Sequence, residues 1–216
     1  MDKIKLSAIL SRLKTPETHS LKFEQYPTDI KTAVDFLTFV DETSGFKGKN
    51  VADFGSGNGI LGIGAAVLGA KHADLYDIDV KMADLSSRNI ADLNLDNCDS
   101  HHEDFFDVEG RYDIVISNPP FGFQSSFRID AFVGKLGDIS DEFFFIYKKN
   151  KEMENLAQKT GLNVTYLGEL RIPRIARFHK KESESIPVCI VYRCASVKCT
   201  TPSFRMELPA SRDHDS

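Results

Sequence analysis

Asn118, Pro119, Pro120 and Phe121 close the β-branched run Ile114-Val115-Ile116-Ser117. Two successive prolines fix a rigid turn and remove backbone donors, which leaves the Asn118 side-chain oxygen and the Pro119 carbonyl free to accept hydrogens. One planar NH2 group can satisfy both. Such an amine is a poor nucleophile, because its lone pair is delocalised into the ring or carbonyl beside it. Holding both hydrogens out of that plane exposes the lone pair to an electrophile. Positioning and fixed dipoles then supply the catalysis, and no general base is needed. Phe121 adds a face on which a flipped base can stack. The plainer reading of these residues is a Pro-Pro turn with a core phenylalanine.

Two further clusters precede this one. Asp53-Phe54-Gly55-Ser56-Gly57-Asn58-Gly59 reads as a glycine-rich turn from a strand into a helix. Gly55, Gly57 and Gly59 let backbone approach a ligand closely, and a helix N-terminus follows. The spacing is G-x-G-x-G, not the G-x-G-x-x-G of the dinucleotide fingerprint. Asp53, two residues before the first glycine, suits a cofactor carrying an ammonium better than a pyrophosphate, which favours S-adenosylmethionine. Tyr76-Asp77-Ile78-Asp79 ends the next strand, and a carboxylate there can accept both ribose hydroxyl hydrogens. Asp77 is the choice for that role, with Asp79 the fallback and the better helix cap, since the pleat sends neighbouring side chains to opposite faces. Asp104, after the following strand, is placed to meet the adenine amino group. His101-His102-Glu103 beside it reads as solvated surface. No residue set stands out as a metal site.

The elements that must position these residues alternate. Met1–Leu13 and Ile30–Val40 read as amphipathic helices, the second capped by Thr28-Asp29. Strands are expected at Asn50–Phe54, Ala73–Ile78, Cys98–His102 (a weak edge), Tyr112–Ser117, Glu142–Tyr147, Asn163–Leu170 and Pro187–Arg193. Helices are expected at Gly59–Leu68, Lys81–Leu93, Phe127–Leu136 and Lys148–Thr160. Such alternation implies an α/β domain whose mostly parallel sheet is covered on both faces. No helix-length pattern separates the last two strands, so an antiparallel end strand is expected.

The chain has 216 residues, enough for one such domain. We expect it to span 1–195, with 196–216 a disordered tail. No apolar run reaches the length of a membrane span, and the N-terminus lacks the features of a signal peptide. Cys98, Cys189, Cys194 and Cys199 form no C-x-x-C pair, which speaks against a cysteine-based zinc site and fits a reducing cytoplasm. A net charge of −5 argues against gripping nucleic acid by overall charge, so a local basic patch has to serve. Arg171, Arg174, Arg177, Phe178, His179, Lys180 and Lys181 supply one, with five cations for an RNA backbone and two rings for stacking. A solvated loop between the last two strands is the alternative.

Phe23-Glu24-Gln25-Tyr26-Pro27-Thr28, Asp53–Gly59, Leu68-Gly69-Ala70, Tyr76–Asp79, Asn118–Gly122 and Phe178–Lys181 together resemble the methyltransferase-like 5 family of ribosomal RNA adenine N6-methyltransferases, archaeal relatives included. The resemblance extends to about Arg193. It implies a Rossmann-like class I methyltransferase fold of seven strands, one antiparallel, with residues 1–45 contributing to the cofactor site. It also implies Gln25 and Thr28 near S-adenosylmethionine, with Gly55, Asn58, Ile60, Asp77 and Asp104 lining its pocket. Eukaryotic members pair with a small zinc-binding activator protein. Ser56 and Asn58 stand where those members carry cysteines, which is closer to archaeal forms, and the match weakens over Gly122–Gly137.

The expected reaction is adenine N6-methylation of RNA, foremost small-subunit ribosomal RNA. Methylation of a protein glutamine amide, as by release-factor methyltransferases, is the runner-up; those enzymes usually carry Tyr at the Phe121 position and a separate N-terminal domain. DNA adenine methylation ranks third for want of a target-recognition domain. An idle binding module would require a broken motif.

Overall fold

The computed structural model describes residues 1–16, 28–122, 127–173 and 183–194. Its elements run α1 (Lys3–Leu10), α2 (Ile30–Thr43), β1 (Asn50–Phe54), α3 (Ile60–Val67), β2 (His72–Asp77), α4 (Val80–Asp92), β3 (Cys98–His102), β4 (Ile114–Ser117), α5 (Ile129–Ile139), β5 (Phe143–Lys148), α6 (Lys151–Thr160), β6 (Asn163–Pro173) and β7 (Ser183–Arg193). One seven-stranded sheet results, in the order β3-β2-β1-β4-β5-β7-β6. The five strands from β3 to β5 are parallel, and β7 is antiparallel to both its neighbours.

The fold is the expected Rossmann-like class I arrangement, with the last strand placed differently and several element ends shifted: β6 runs on to Pro173, β7 starts at Ser183 and α5 ends at Ile139. The last strand enters between β5 and β6 and does not add at the sheet's edge, so β6 becomes the outer strand. Burial explains this: Val188, Cys189, Ile190, Val191 and Tyr192 are all buried, whereas Val164 and Tyr166 of β6 are partly exposed. A strand apolar on both faces belongs inside a sheet. The helix expected from Lys148 starts at Lys151, because Lys148 still pairs with Val188 and Asn150 caps the helix through Met153 N–H.

Side-chain parity shows which helices cover which face. Phe144 packs edge-on against Phe39 of α2, and Asp53 of β1 reaches Gly62 of α3. Phe145, one pleat over, meets Phe132 of α5 from the opposite side. The cap of α2 falls at Asp29, whose carboxylate takes the Thr32 N–H and hydroxyl. No helix among the described residues is long and apolar enough to cross a membrane.

Candidate active site at the carboxyl ends of β1, β2 and β4

β1 lies between β2 and β4 in parallel register, so the turns that leave all three strands open on the same side of the sheet. In an open α/β sheet ligands bind there, where the strand order reverses. The glycine turn is tied chiefly to the end of β2. Gly55 and Ser56 N–H groups donate to the Tyr76 carbonyl, Gly59 N–H to the Ser56 carbonyl, and Gly57 N–H to Asp77 Oδ2 at 2.8 Å. Amides spent in this way are not available to cradle a phosphate, in keeping with the departure from the dinucleotide fingerprint. Glycine at 59 is obligatory: its φ is +87°, and a Cβ would sit 2.9 Å from both Ile63 and Leu75.

Asp53 is almost fully buried at 1% exposure. Its Oδ2 accepts from Gly62 N–H at 2.8 Å, so it caps α3 from the strand while the N-cap residue itself, Gly59, offers no side chain. Its Oδ1 is buried without a partner. Burial pushes the carboxyl up to about 7, against the opposing pull of the Gly62 hydrogen bond and with the Asp77 charge adding to the rise. Asp77 also sits above the ordinary aspartate range, again through burial, although Asp79 N–H and Gly57 N–H both donate to it. Asp79 caps α4 through Lys81 N–H, the role expected of it. Asp104 is half-buried and accepts from Phe106 N–H.

At β4 the Ser117 hydroxyl donates to the Phe54 carbonyl at 2.6 Å and ties the end of this strand to the glycine turn. Asn118 follows at once. Its Nδ2 donates to Thr28 Oγ1 at 2.8 Å, and its Oδ1 is buried and unpaired. Pro119 is buried and Pro120 half-buried. Phe121 requires a correction. Its ring is 1% exposed and packs edge-on against Tyr147 at 5.6 Å, so it presents no open stacking face. The Tyr147 hydroxyl also donates to the Phe121 carbonyl at 3.4 Å, so ring and backbone both tie this turn to β5. A phenylalanine wedged over the apolar β5 face gains more from burial than it would from waiting in solvent for a base.

Asn89 is a site-shaping residue that sequence reasoning missed. This 1%-exposed amide accepts from Lys14 N–H and donates to the Lys14 and Asn58 carbonyls, while Asn58 Nδ2 also donates to the Lys14 carbonyl. The segment after α1 is thereby pinned onto the glycine turn. The available signal was a large polar residue on the helical face that Met82, Leu85 and Ile90 mark as apolar in α4. Ile60 is buried at the head of α3. Gln25, Arg174, Arg177, Phe178, His179, Lys180 and Lys181 lie outside the described residues, as does the tail, and of Arg171 only the backbone in β6 is described.

The orphaned atoms test the fit to the cofactor. Asp53 Oδ1 and Ser56 Oγ are buried without partners beside the glycine turn, and the ammonium of an amino-acid-bearing nucleoside would supply donors to both. Asn118 Oδ1, at the turn leaving β4, is likewise buried without a partner.

A family model described as the methyltransferase small domain matches residues 19–133. The chain is 31% identical to the rRNA N(6)-adenosine-methyltransferase METTL5 of Danio rerio, across 85% of this chain and 94% of that one. It is 33% identical to an uncharacterized protein of Methanocaldococcus jannaschii, across 86% of this chain and 90% of that one. A crystal structure from Pyrococcus horikoshii superposes with a TM-score of 0.79 at 32% identity, covering 89% of this chain and 97% of the other. A buried acid at the end of β1, a glycine turn tied to β2 and an Asn-Pro-Pro-Phe turn at β4 thus occur in a chain that belongs to the methyltransferase small-domain family, as an S-adenosylmethionine-dependent methyltransferase of the methyltransferase-like 5 group.

Proposed function

We propose that this protein methylates N6 of an adenine in ribosomal RNA of the small subunit, in the cytoplasm. The observation that carries the reading is Asn118: its amide nitrogen is occupied by Thr28, and its oxygen is buried, unpaired and placed at the turn leaving β4. When bound, S-adenosylmethionine supplies an electrophilic methyl group on a sulfonium. Everything else falls to the chain. Asn118 Oδ1 and the Pro119 carbonyl accept the two amine hydrogens and hold them out of the ring plane, which takes the nitrogen lone pair out of conjugation; once the nitrogen carries the methyl, one of those hydrogens leaves as a proton to solvent. Pro120, without an N–H, leaves the Pro119 carbonyl no competing donor within the turn. Asp53 and Ser56 bind the amino-acid end of the cofactor, Asp77 the ribose and Asp104 the adenine edge, with Gln25, Thr28, Asn58 and Ile60 completing the pocket. Arg171, Arg174, Arg177, Phe178, His179, Lys180 and Lys181 are the proposed RNA contact. With Phe121 seated in the core, stacking of the target base falls to a side chain other than this one.

A small zinc-binding activator is the proposed partner. Ile78, Val80 and Phe106 support it, since each is between 43% and 50% exposed near the open β3 edge. Supplying the activator tests whether it raises activity.

The decisive assay incubates the protein with tritiated S-adenosylmethionine and, separately, ribosomal RNA, plasmid DNA or a release factor. Label is expected in ribosomal RNA, recovered as N6-methyladenosine after digestion. Asn118→Ala should lower kcat by about 10²-fold or more, the usual cost of removing one preorganised dipole. Label on the release factor, or an Asn118→Ala protein as active as the parent, would overturn the assignment.

A further inference from the structure

Four metal-ligating side chains are gathered outside the cofactor site by strand register alone. β2 carries His72-Ala73-Asp74 and β3 carries Asp99-Ser100-His101, and Asp74 pairs with Asp99 across the parallel ladder. Residues two apart share a face of a strand, so His72, Asp74, Asp99 and His101 project from the same side of the sheet. This is the side opposite α4, because the intervening Ser100 turns the other way to bond Ser86 of that helix.

His72 Nε2 lies 3.4 Å from Asp74 Oδ1 and 3.3 Å from Asp99 Oδ2. Ligand atoms about 2.0–2.2 Å from a tetrahedral zinc ion are separated from one another by about 3.3–3.6 Å. Two edges of the required polyhedron are therefore already present. The three atoms lie within 4.8 Å of one another, and Asp99, at 68% side-chain exposure, is free to swing inward. Behind them is a supporting layer. His101 Nε2 lies 2.8 Å from Asp74 Oδ1, and its ring stacks on Tyr76 at 4.8 Å. The Tyr112 hydroxyl donates to Asp74 Oδ2 at 3.1 Å and is itself bonded to the Tyr76 hydroxyl at 2.7 Å. A carboxylate fixed on both oxygens by partners that are themselves fixed is the usual backing of a metal ligand.

We propose that His72, Asp74 and Asp99 bind one zinc ion, with His101 and Tyr112 orienting Asp74 and solvent completing the coordination. One imidazole with two carboxylates suits zinc better than calcium or magnesium, which take oxygen ligands. The ion would staple the outer strand β3, a polar segment of sequence Cys-Asp-Ser-His-His, to β2 beneath Asp77 and Asp104. It takes no part in methyl transfer.

Zinc chloride and cobalt chloride are the probes, applied to the full chain after stripping with EDTA. One equivalent of cobalt should give the visible absorption of a low-coordinate site, and zinc should displace it. His72→Gln and Asp99→Asn should each weaken zinc binding by about tenfold or more. Crystals of the unmodified protein soaked in zinc should show an anomalous peak bonded to His72 Nε2 and to the carboxylates of Asp74 and Asp99. The crystal result stands even if a variant fails to fold. No saturable binding, equal binding by the His72→Gln/Asp99→Asn double variant, or a peak seated elsewhere would overturn the proposal.

Discussion

Thr28 and Asn118 stand 90 positions apart and share one hydrogen bond. The proposed role of Asn118 rests on it, because an amide free to rotate would offer its oxygen to the site only part of the time. Thr28→Val keeps the shape and removes the acceptor. We expect kcat to fall about tenfold while the protein unfolds at the same temperature, as measured by single-turnover methylation beside a thermal melt. A fall in stability without a change in kcat would make Thr28 structural. Asp53 offers a test by pH. Its folded carboxyl, raised by burial to about 7, holds a proton that the unfolded chain releases near the ordinary value of about 3.9. Over that interval the folded state binds more protons, so stability from this group falls as pH rises from about 4 to about 7 and does not return above it. Asp77 shifts in the same direction. Urea unfolding of the ligand-free protein should show lower stability at pH 8 than at pH 5.5, with a smaller difference for Asp53→Asn. An identical pH dependence in the variant would refute the burial account.

Among the elements, β1 and α3 show how closely the site is built. Gly62 lies on the first turn of α3, where a Cβ would stand 2.4 Å from Leu75 Cδ1 and 3.1 Å from the Asp53 Cβ. The helix can approach the strand, and Asp53 can reach the Gly62 N–H, only because that methyl is missing. Gly62→Ala should cost about 1–3 kcal/mol by overpacking, read as a shifted urea midpoint with an unchanged m-value. Cofactor affinity should fall with it, since Asp53 would move. A variant as stable as the parent would show that Leu75 has room to yield. The boundaries of β1 were legible in advance as an apolar run closed by a glycine turn, whereas β3, a polar segment, could be read only as a weak edge. The start of α6 was not, because lysines at 148 and 149 suit a strand end and a helix start equally. Pairing of Lys148 with Val188 decides it.

At the scale of the whole molecule the net charge of −5 has to be reconciled with an RNA substrate. The proposed answer is local: the cations between Arg171 and Lys181 engage phosphates while the rest of the surface repels them. Arg174→Glu with Lys180→Glu should weaken ribosomal RNA binding at least tenfold and flatten its salt dependence, with cofactor affinity unchanged. Filter binding across a salt series, alongside calorimetry with S-adenosylmethionine, measures both. Lost cofactor binding would mean that the segment supports the fold.

The sequence by itself determined the reaction chemistry and the order of the elements. Asp53 through Gly59, Asp77 and Asn118 through Pro120 are local patterns, and a local pattern constrains the turn that contains it. Beyond the place of β7 and the start of α6, three side-chain environments waited for tertiary structure. Phe121 was free to stack or to pack until β5 placed Tyr147 against it. Asn89 carried no meaning until Lys14 arrived from the other end of the chain. His101 read as solvated surface, and His72, Asp74 and Asp99 carried no reading, until parallel register set Asp74 beside Asp99. In each case the deciding partner is remote in sequence. Burial and pairing are properties of the assembled sheet, which a local pattern does not specify.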